Sequence, residues 1–536
     1  MTKDAFREKW LPLIFFSVLL TVGLLVFRDY GVHYDEKCQI AIGVTNYRYI
    51  NQGDTTLMDF QDRYYGSLFE LVMVVLFHNI PVPGMIYLRH LSVFLTFFIG
   101  CIAYYYIVRR LFRGTWWALL ACLMLVTNPR IFADAFYNSK DIPFMVVLIL
   151  GMASLIHWLD VLHNRPAARP IWMGLVLHAI LSATAAAIRI PGLLVMGITI
   201  GIIGLYGWVK PVRRNTVIAL LLAYSILSLA FLVLFMPILW HDPIGEFANA
   251  ISQMSRYNLW TGSILFQGVM FPANNPVWNY LPVWIGITTP YLPLAAFIIG
   301  LLFMLVFAIR EANKRSEKKK KVFREDDLAC LAVGVWFIVP VAALYAFRSV
   351  LYDAWRQMFF VYPPMVLIAV FGIRRMSGFI QTISGSFRIN RIVFGLALLA
   401  GILEPVIWMV RNHPHEYVYF NWLAGERVTL RLKYDLDYWG LSYKHGIDHI
   451  LATDNRDHIK LSAVGPPALY VEYMLPRDQA DRLSFTELEQ ADYFLTNYRW
   501  HPDDFSYPEK YYSVLVDGME IMTVYRLREP IGDHGN

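Results

Sequence analysis

The sequence has little charge for its length. Only 16% of its 536 residues are Asp, Glu, Lys or Arg, whereas 57% are hydrophobic. A soluble protein usually has about a quarter charged and just under half apolar residues, and soluble cores divide into domains well below this length. These proportions exclude a single soluble core and favour a protein whose surface faces lipid. We therefore expect an integral membrane protein with many spans.

Cysteine is also scarce, and its positions exclude two common kinds of structure. The four cysteines are Cys38, Cys101, Cys122 and Cys330; three lie in apolar runs and Cys38 lies in a predicted loop. No CxxC pair occurs. We therefore predict neither a disulfide framework nor a zinc site.

Nucleotide-binding and hydrolase motifs are missing as well. The sequence has no P-loop, no GxSxG, no HExxH and no dinucleotide-binding glycine pattern. Transport driven by a nucleotide therefore has no support. No internal repeat of fixed period is visible, which disfavours the inverted-repeat class of transporters.

What the sequence has in abundance is long apolar runs. A helix needs roughly 20 apolar residues to cross the hydrocarbon layer. Runs of this kind lie at 10–27, 88–107, 115–133, 142–162, 171–188, 191–209, 217–239, 283–309, 328–347, 357–373 and 392–410. We predict about eleven membrane helices, the first of them uncleaved. The run at 68–80 is too short to cross and predicts an interfacial or re-entrant helix.

Basic residues cluster in alternate loops, and this asymmetry predicts the orientation. Arg109, Arg110 and Arg113 follow the second run, and the segment 311–325 is rich in lysine, whereas the intervening loops lack such clusters. Loops rich in Lys and Arg stay on the cytoplasmic side. The N-terminus is therefore predicted inside and the C-terminus outside, in a membrane such as the bacterial inner membrane.

Three large regions then lie on the outer side. They are the loop 28–87, which is rich in Asp and Glu, the loop 240–282, which is rich in Trp, Asn and Pro, and the tail from 412. The tail contains alternating runs such as YFLTNY and IMTVYRL, which predict strands. We divide the chain into a membrane domain over 1–411 and a small mixed α/β extracytoplasmic domain over 412–536.

The first acidic loop carries residues suited to chemistry. His33, Asp35 and Glu36 follow directly after the first span. Adjacent carboxylates cannot share one face of a helix or strand, so Asp35 and Glu36 should have different partners. One is suited to be a general base and the other to bind a substrate or orient its neighbour. An ordinary solvated loop acid is the alternative.

The second outer loop, near 128–141, is short and strongly charged. It contains Arg130, Asp134, Lys140 and Asp141. A cation beside an acid suits an anionic headgroup such as phosphate, and Lys140 is suited to stabilise a leaving phosphate. The alternative is an interfacial helix cap, with Asp141 at a helix start.

Three more arginines lie within or at the ends of apolar runs: Arg189, Arg348 and Arg356. An arginine at membrane depth is expensive without a partner, which makes each one a candidate for function. We expect Arg189 and Arg356 to bind a lipid phosphate at the outer side. Snorkelling towards the interface is the alternative.

These features occur together in a known superfamily. The acidic pair after the first span, the Asn-Ser-Lys-Asp-Ile-Pro segment at 138–143, the RQMFFVYPP segment at 356–364 and the outer C-terminal domain resemble the GT-C superfamily of polyprenyl-phosphate-dependent glycosyltransferases. Within that superfamily, the sequence is similar to bacterial protein O-mannosyltransferases and lipid A aminoarabinose transferases. The resemblance covers roughly 1–411 as architecture and short motifs in detail.

The resemblance implies transfer of a sugar from a polyprenyl phosphate to a hydroxyl group of a protein, lipid or glycan, with inversion at the anomeric carbon. It implies no metal, no other cofactor and no nucleic-acid partner. Asp35 matches the acid that activates or positions the acceptor, with Glu36 as its companion, and Lys140 and Arg356 match donor-phosphate contacts. The candidate site residues are Asp35, Glu36 and Asp141 as catalytic groups; Lys140, Arg356, Arg189 and Arg130 on the donor phosphate; and His33, Asn138 and Arg348 on the substrate.

Other classes of protein remain as alternatives. A transporter or a flippase for lipid-linked glycans would have many spans and buried arginines too, but it predicts charges near mid-span rather than in outer loops. An O-antigen ligase or polymerase uses a diphosphate-linked donor and usually places its arginines in one large late outer loop. Here the longest outer loop between spans comes first. A scaffold without activity leaves the clustered carboxylates unexplained.

Overall fold

The computed structural model describes residues 6–164, 168–209, 214–255, 262–274, 277–314, 325–383 and 387–528. Within these ranges, ten helices are long and apolar enough to cross a membrane, and one bent pair of helices adds an eleventh. The prediction of an α-helical membrane protein with about eleven spans is confirmed.

The helices of the first half, in chain order, are α1 (Leu11–Val26), α2 (Glu36–Gln52), α3 (Thr56–Asp59), α4 (Leu68–Phe77), α5 (Gly84–Phe112), α6 (Thr115–Val126), α7 (Pro129–Tyr137), α8 (Asp141–His163), α9 (Ala168–Ile188), α10 (Leu193–Val209), α11 (Arg214–Phe235) and α12 (Pro243–Ser255). A hairpin of β1 (Ser263–Phe266) and β2 (Val269–Pro272) follows, and then α13 (Tyr280–Thr288), α14 (Tyr291–Lys314), α15 (Glu325–Ala346), α16 (Tyr362–Ile383) and α17 (Phe387–Asn412). The 3₁₀ turn Arg356–Val361 leads directly into α16.

The predicted span at 115–133 is a broken helix. α6 ends at Val126, and α7 begins at Pro129 after a bend of 70°. Proline has no backbone N–H for the preceding turn and is well suited to the first position of a new helix. The Asn128 side chain then caps α7 by accepting the backbone N–H of Ile131 at 3.3 Å. The bend turns α7 towards the outer charged residues.

Ion pairs show which helix ends share a face. Arg110, near the end of α5, pairs with Asp160 of α8 at 2.7 Å and with Asp326 of α15 at 2.9 Å. α8 begins at the opposite face with Asp141, so α6 and α7 together carry the chain from one face to the other. The bent pair therefore counts as one crossing.

Two spans lie at the centre of the helix bundle. In α8 and in the span Arg356–Ile380, 83% and 89% of the most apolar window is buried, against 11% in the first span. Both central spans begin at the same face, because Asp141 and Arg356 form an ion pair there. The two most enclosed spans therefore each place a charged residue at the same end of the bundle.

The first outer loop is largely helical. α2, α3 and α4 all lie within 28–87, and α4, at 10 residues, is one of the short apolar helices that cannot cross. Cys38 was expected in a loop, but it lies in the first turns of α2, and its thiol donates to Asp62 at 3.2 Å. α2 begins immediately after Asp35 and so determines the direction of that side chain.

The C-terminal region contains α18 (Tyr443–Thr453), β3 (Ile459–Ala463), α19 (Val471–Met474), α20 (Arg477–Ala480), β4 (Leu483–Phe485), β5 (Tyr493–Thr496), β6 (Glu509–Val516) and β7 (Met519–Arg526). The strands form one mixed sheet in the order β4-β3-β5-β7-β6, with β3 parallel to both of its neighbours and β7 antiparallel to both of its own. The predicted strands in YFLTNY and IMTVYRL are β5 and β7. The prediction of a small mixed α/β domain is confirmed.

Candidate active site

Charged residues from four parts of the chain meet at the end of the central spans that lies opposite Arg110. Asp35 precedes α2, Asp141 opens α8, Arg189 lies between α9 and α10, and Arg356 opens the turn before α16. Each of these residues stands where a helix begins or ends. Since the helices are held by the membrane bundle, the side chains at their ends are held in place as well.

Arg356 is the centre of this group. Its Nη1 donates to Asp141 Oδ2 at 3.1 Å, and its Nη2 donates to Asp353 Oδ2 at 3.2 Å and to Asp35 Oδ2 at 3.5 Å. The guanidinium also lies 4.4 Å from the centre of the Trp439 ring. The centre of the Tyr352 ring is 5.2 Å away, so a single buried arginine joins three carboxylates and lies against two aromatic rings.

Asp141 is the most enclosed of the three carboxylates. Its other oxygen, Oδ1, pairs with Arg189 Nη1 at 2.7 Å, and its side chain is 1% exposed. Asn138 makes two hydrogen bonds to Asp141. Its Nδ2 donates to Asp141 Oδ2 at 3.0 Å, and its Oδ1 accepts the Asp141 backbone N–H at 2.8 Å. Asn138 therefore supports the cluster through Asp141, and its side chain is itself buried.

Lys140 lies near Asp141, over an aromatic ring of the loop 28–87. Its Nζ is 3.8 Å from the centre of the Tyr65 ring. Gly66 follows Tyr65, and a Cβ there would collide with the Ile188 carbonyl oxygen at the end of α9. Only glycine lets the loop lie this close, and the close approach brings Tyr65 and Lys140 to the same side as Arg189.

Asp35 and Glu36 have different partners, as their adjacency predicts. Asp35 remains 29% exposed and faces Arg356. Glu36 is buried and pairs with Arg89 and with His33 Nε2, the latter at 2.6 Å. The structure therefore places Asp35 in the arginine cluster and Glu36 in a buried network with Arg89. His33 links the two, because its Nδ1 accepts the Asp35 backbone N–H at 3.2 Å while its Nε2 pairs with Glu36.

That second network ties the two outer loops together. Arg89 Nη1 pairs with Glu70 of α4 at 2.9 Å, and the Ser139 hydroxyl donates to the same carboxylate. Burial by itself raises the pKa of Glu36, but the charges of Arg89 and His33 outweigh it and hold the pKa well below its usual range. Glu36 is thus a fixed anion that anchors the start of α2.

The charge state of Asp35 follows from its surroundings. Burial alone raises the pKa of Asp35, but the positive charges of Arg356 and Lys140 outweigh this, so that its pKa lies below the ordinary value. Asp35 is therefore an ionised acceptor near neutral pH. It is the one carboxylate of the three with a substantially exposed side chain.

Two of the predicted arginines do not join the cluster. Arg130 is buried with its guanidinium 5.3 Å from the Trp284 ring centre and 4.8 Å from the Phe420 ring centre, and its Nε donates to the Tyr419 carbonyl at 3.0 Å. Arg348 lines a different cavity, of about 470 Å³. The burial of Arg130 against the segment after α17 indicates a contact between the membrane helices and that segment.

An apolar cavity opens beside the cluster. It has a volume of about 430 Å³, and Arg189, Tyr65, Tyr352 and Gln357 are among its polar lining residues. Its walls are mostly apolar and come from the start of α10, the second half of α15 and the segment after α15; they include Leu193, Pro340, Ala343, Leu344 and Phe360. Arg189 also pairs with Asp141, so the cavity and the charged cluster share this residue.

The sequence interpretation did not single out three residues that complete the site. Asp353 lies in the short outer segment before Arg356, Trp439 lies in the YDLDYWG run, and Arg499 follows β5. Arg499 Nη2 donates to Asp353 Oδ1 at 2.8 Å, so the C-terminal domain reaches the cluster. The YDLDYWG run was a recognisable signal for Trp439, whereas nothing local in the sequence marks Arg499.

The side chains that could form a metal centre are those of His, Cys, Asp and Glu. Among the side chains that the structure describes, no group of three or more His, Cys, Asp or Glu residues is arranged to hold a metal ion. The expectation that no metal takes part stays a prediction.

The fold resembles that of solved membrane glycosyltransferases of the GT-C superfamily, and the likeness is one of fold alone. Among solved structures, the chain is similar to ArnT from Cupriavidus metallidurans bound to undecaprenyl phosphate, with 15% identity, a TM-score of 0.50, and coverage of 96% of this chain and 98% of that one. It also aligns with the archaeal oligosaccharyltransferase AglB from Archaeoglobus fulgidus in complex with an inhibitory peptide and a dolichol-phosphate, with 11% identity, a TM-score of 0.48, and coverage of 92% of this chain and 70% of that one. No protein-family model and no curated protein sequence matches the chain.

Proposed function

We propose that the protein is a membrane glycosyltransferase that moves a sugar from a polyprenyl phosphate to a hydroxyl group of an acceptor, on the non-cytoplasmic side. The observation that carries this proposal is the convergence of Asp35, Lys140, Asp141, Arg189 and Arg356 at one outer cluster beside an apolar cavity. The basic loops at the opposite face, around Arg110, support the assignment of the cluster to the outer side.

The cluster and the cavity match the two ends of such a donor. A polyprenyl chain requires an apolar surface at membrane depth, and its phosphate requires cations that are held in place. The cavity supplies the apolar surface and is lined in part by Arg189. Arg189, Arg356 and Lys140 supply the cations, and all three lie near the carboxylate of Asp141. That ArnT binds undecaprenyl phosphate in the same fold agrees with this choice of donor.

In the proposed reaction, the acceptor oxygen attacks the anomeric carbon while the bond from that carbon to the phosphate oxygen breaks. The electron pair of the broken bond leaves with the polyprenyl phosphate, and the acceptor proton passes to Asp35. Arg356 and Lys140 stabilise the charge that develops on the leaving phosphate. Direct attack in a single step inverts the anomeric carbon.

The low pKa of Asp35 has a consequence for this step. A carboxylate is a weak base while Arg356 and Lys140 hold its pKa down. A bound phosphate anion neutralises part of that positive charge, so the pKa of Asp35 rises when the donor is in place. The carboxylate therefore becomes a better base only in the complex that can react.

The test is a transfer assay with purified protein and a panel of donors. The panel compares undecaprenyl-phosphate sugars, both hexoses and pentoses, with undecaprenyl-diphosphate sugars. We expect consumption of a monophosphate donor in the presence of protein, lipid or glycan acceptors, and an inverted product by NMR. Use of the diphosphate donors alone would identify a ligase or polymerase instead, and movement of donor across vesicles without its consumption would identify a flippase.

A further inference from the structure

The C-terminal domain contributes one charged side chain to the cluster. Arg499 follows β5 and is 6% exposed, and its Nη2 donates to Asp353 Oδ1 at 2.8 Å. Its Nη1 donates to the Tyr438 carbonyl at 2.6 Å, and its guanidinium lies 4.7 Å from the centre of the Tyr34 ring. The arginine is thus fixed on both sides, and its free rotation is lost.

Asp353 is shared between two arginines that belong to different parts of the chain. One oxygen accepts from Arg499, and the other accepts from Arg356 Nη2 at 3.2 Å. The charges therefore alternate along a line from Asp35 through Arg356 and Asp353 to Arg499. The same Nη2 atom of Arg356 faces Asp35, so the position of Asp353 determines how that atom is directed.

The backbone at this point is held in an unfavourable conformation. Asp353 and the following Ala354 both have positive φ angles, of 53° and 60°, although neither is glycine. Such residues persist where the surroundings fix them, and they concentrate at functional sites. The contacts of the Asp353 carboxylate with two buried arginines supply that constraint here.

We propose that Asp353 and Arg499 form a positioning pair, which orients Arg356 towards the site of the donor phosphate and so makes the C-terminal domain a part of the active site. This inference rests on the proposed function, because it assigns Arg356 to the donor phosphate. The pair touches no reacting atom. Its effect is to keep the Nη1 and Nη2 atoms of Arg356 facing Asp141 and Asp35 before the donor arrives.

The experiment measures binding of undecaprenyl phosphate by native mass spectrometry, and transfer with the donor found for the wild type. The variants are Asp353→Asn, Arg499→Gln, the double variant, and the conservative Arg499→Lys. We expect each single change to weaken binding of undecaprenyl phosphate and to raise the donor KM, each by roughly tenfold, while the acceptor KM stays unchanged. The double variant should be no weaker than the singles within about twofold, because the pair acts as a unit.

Arg499→Lys keeps a positive charge beside Asp353 but cannot reproduce the forked contacts with Asp353 and the Tyr438 carbonyl, so it should recover only part of the binding that Arg499→Gln loses. The matched control is Arg456→Gln, which removes an ion pair with Asp454 within the same domain, where the arginine is 31% exposed. This control should leave both KM values unchanged. A merely structural role for the pair would instead lower the amount of folded protein and leave the donor KM unchanged.

The outcomes separate the two proposals. Normal binding and donor KM in both single variants, or losses that add in the double variant, would overturn the positioning pair while leaving the proposed function in place. A wild type that binds undecaprenyl phosphate but transfers no sugar would overturn the proposed function, and the binding series would still decide on the pair. A wild type that does not bind undecaprenyl phosphate would overturn both.

Discussion

Two of the three carboxylates that face Arg356, Asp141 and Asp35, should respond in opposite ways when each is changed to asparagine. Asp141 is 1% exposed and pairs with both Arg189 and Arg356. Removing one partner of a buried ion pair costs about 3–5 kcal/mol, because the remaining charge is left without compensation in a medium of low dielectric constant. Asparagine has the shape of aspartate but no charge, so Asp141→Asn should destabilise the fold by about this amount.

Asp35 differs in both exposure and geometry. Its side chain is 29% exposed, and its contact with Arg356 is long, at 3.5 Å. An ion pair of this kind contributes about 0–1 kcal/mol to stability. Loss of a general base, by contrast, lowers turnover by about 10²–10⁴-fold. Asp35→Asn should therefore leave the protein nearly as stable as the wild type and almost inactive.

The assay combines thermal unfolding of purified protein in detergent with single-turnover transfer at saturating donor. We expect a clear fall in the unfolding midpoint for Asp141→Asn and a change close to zero for Asp35→Asn. Asp62→Asn serves as a control for Asp35, because Asp62 is a carboxylate of the same loop that contacts Cys38 instead of an arginine of the cluster. Equal destabilisation by the two site variants, or wild-type turnover in Asp35→Asn, would refute the division of roles.

Three further predictions follow from single contacts. Lys140→Ala should raise the donor KM at least tenfold with little change in the acceptor KM, and unchanged donor kinetics would remove Lys140 from the site. Ala343→Trp should fill much of the apolar cavity and weaken binding of undecaprenyl phosphate but not of water-soluble acceptors, as competition binding would show. His413 pairs with Asp29 and Glu416, which raises its pKa from about 6.5 to about 9 against the opposing effect of burial. The protonated His413 contributes about 2–3 kcal/mol to the free energy of unfolding; this contribution is complete below pH 6.5 and is lost as the pH rises through 9. His413→Gln should therefore weaken the dependence of the unfolding midpoint on pH over that interval.

The sequence alone was sufficient for the membrane architecture. The thickness of the bilayer requires apolar runs of a minimum length, and clusters of basic residues mark the loops of one side. The spans and the basic loops can therefore each be recognised from a short stretch of sequence. The alternation of apolar and polar residues in β5 and β7 is also local, and both strands were predicted. The bend at Asn128 was missed because the apolar composition continues through it, and only the proline marks the new helix.

The tertiary structure alone decided which charged residues meet. Asp35 and Arg356 are 321 positions apart, and Asp353 and Arg499 are 146 apart. No periodicity or motif connects residues at such distances, because their proximity depends on how eleven crossings pack and on where the C-terminal sheet rests. The same packing places Arg130 outside the cluster, and it places the Glu36 side chain against Arg89 instead of beside Asp35. The residue types predicted the chemistry, whereas the packing of the helices determined which of them share one site.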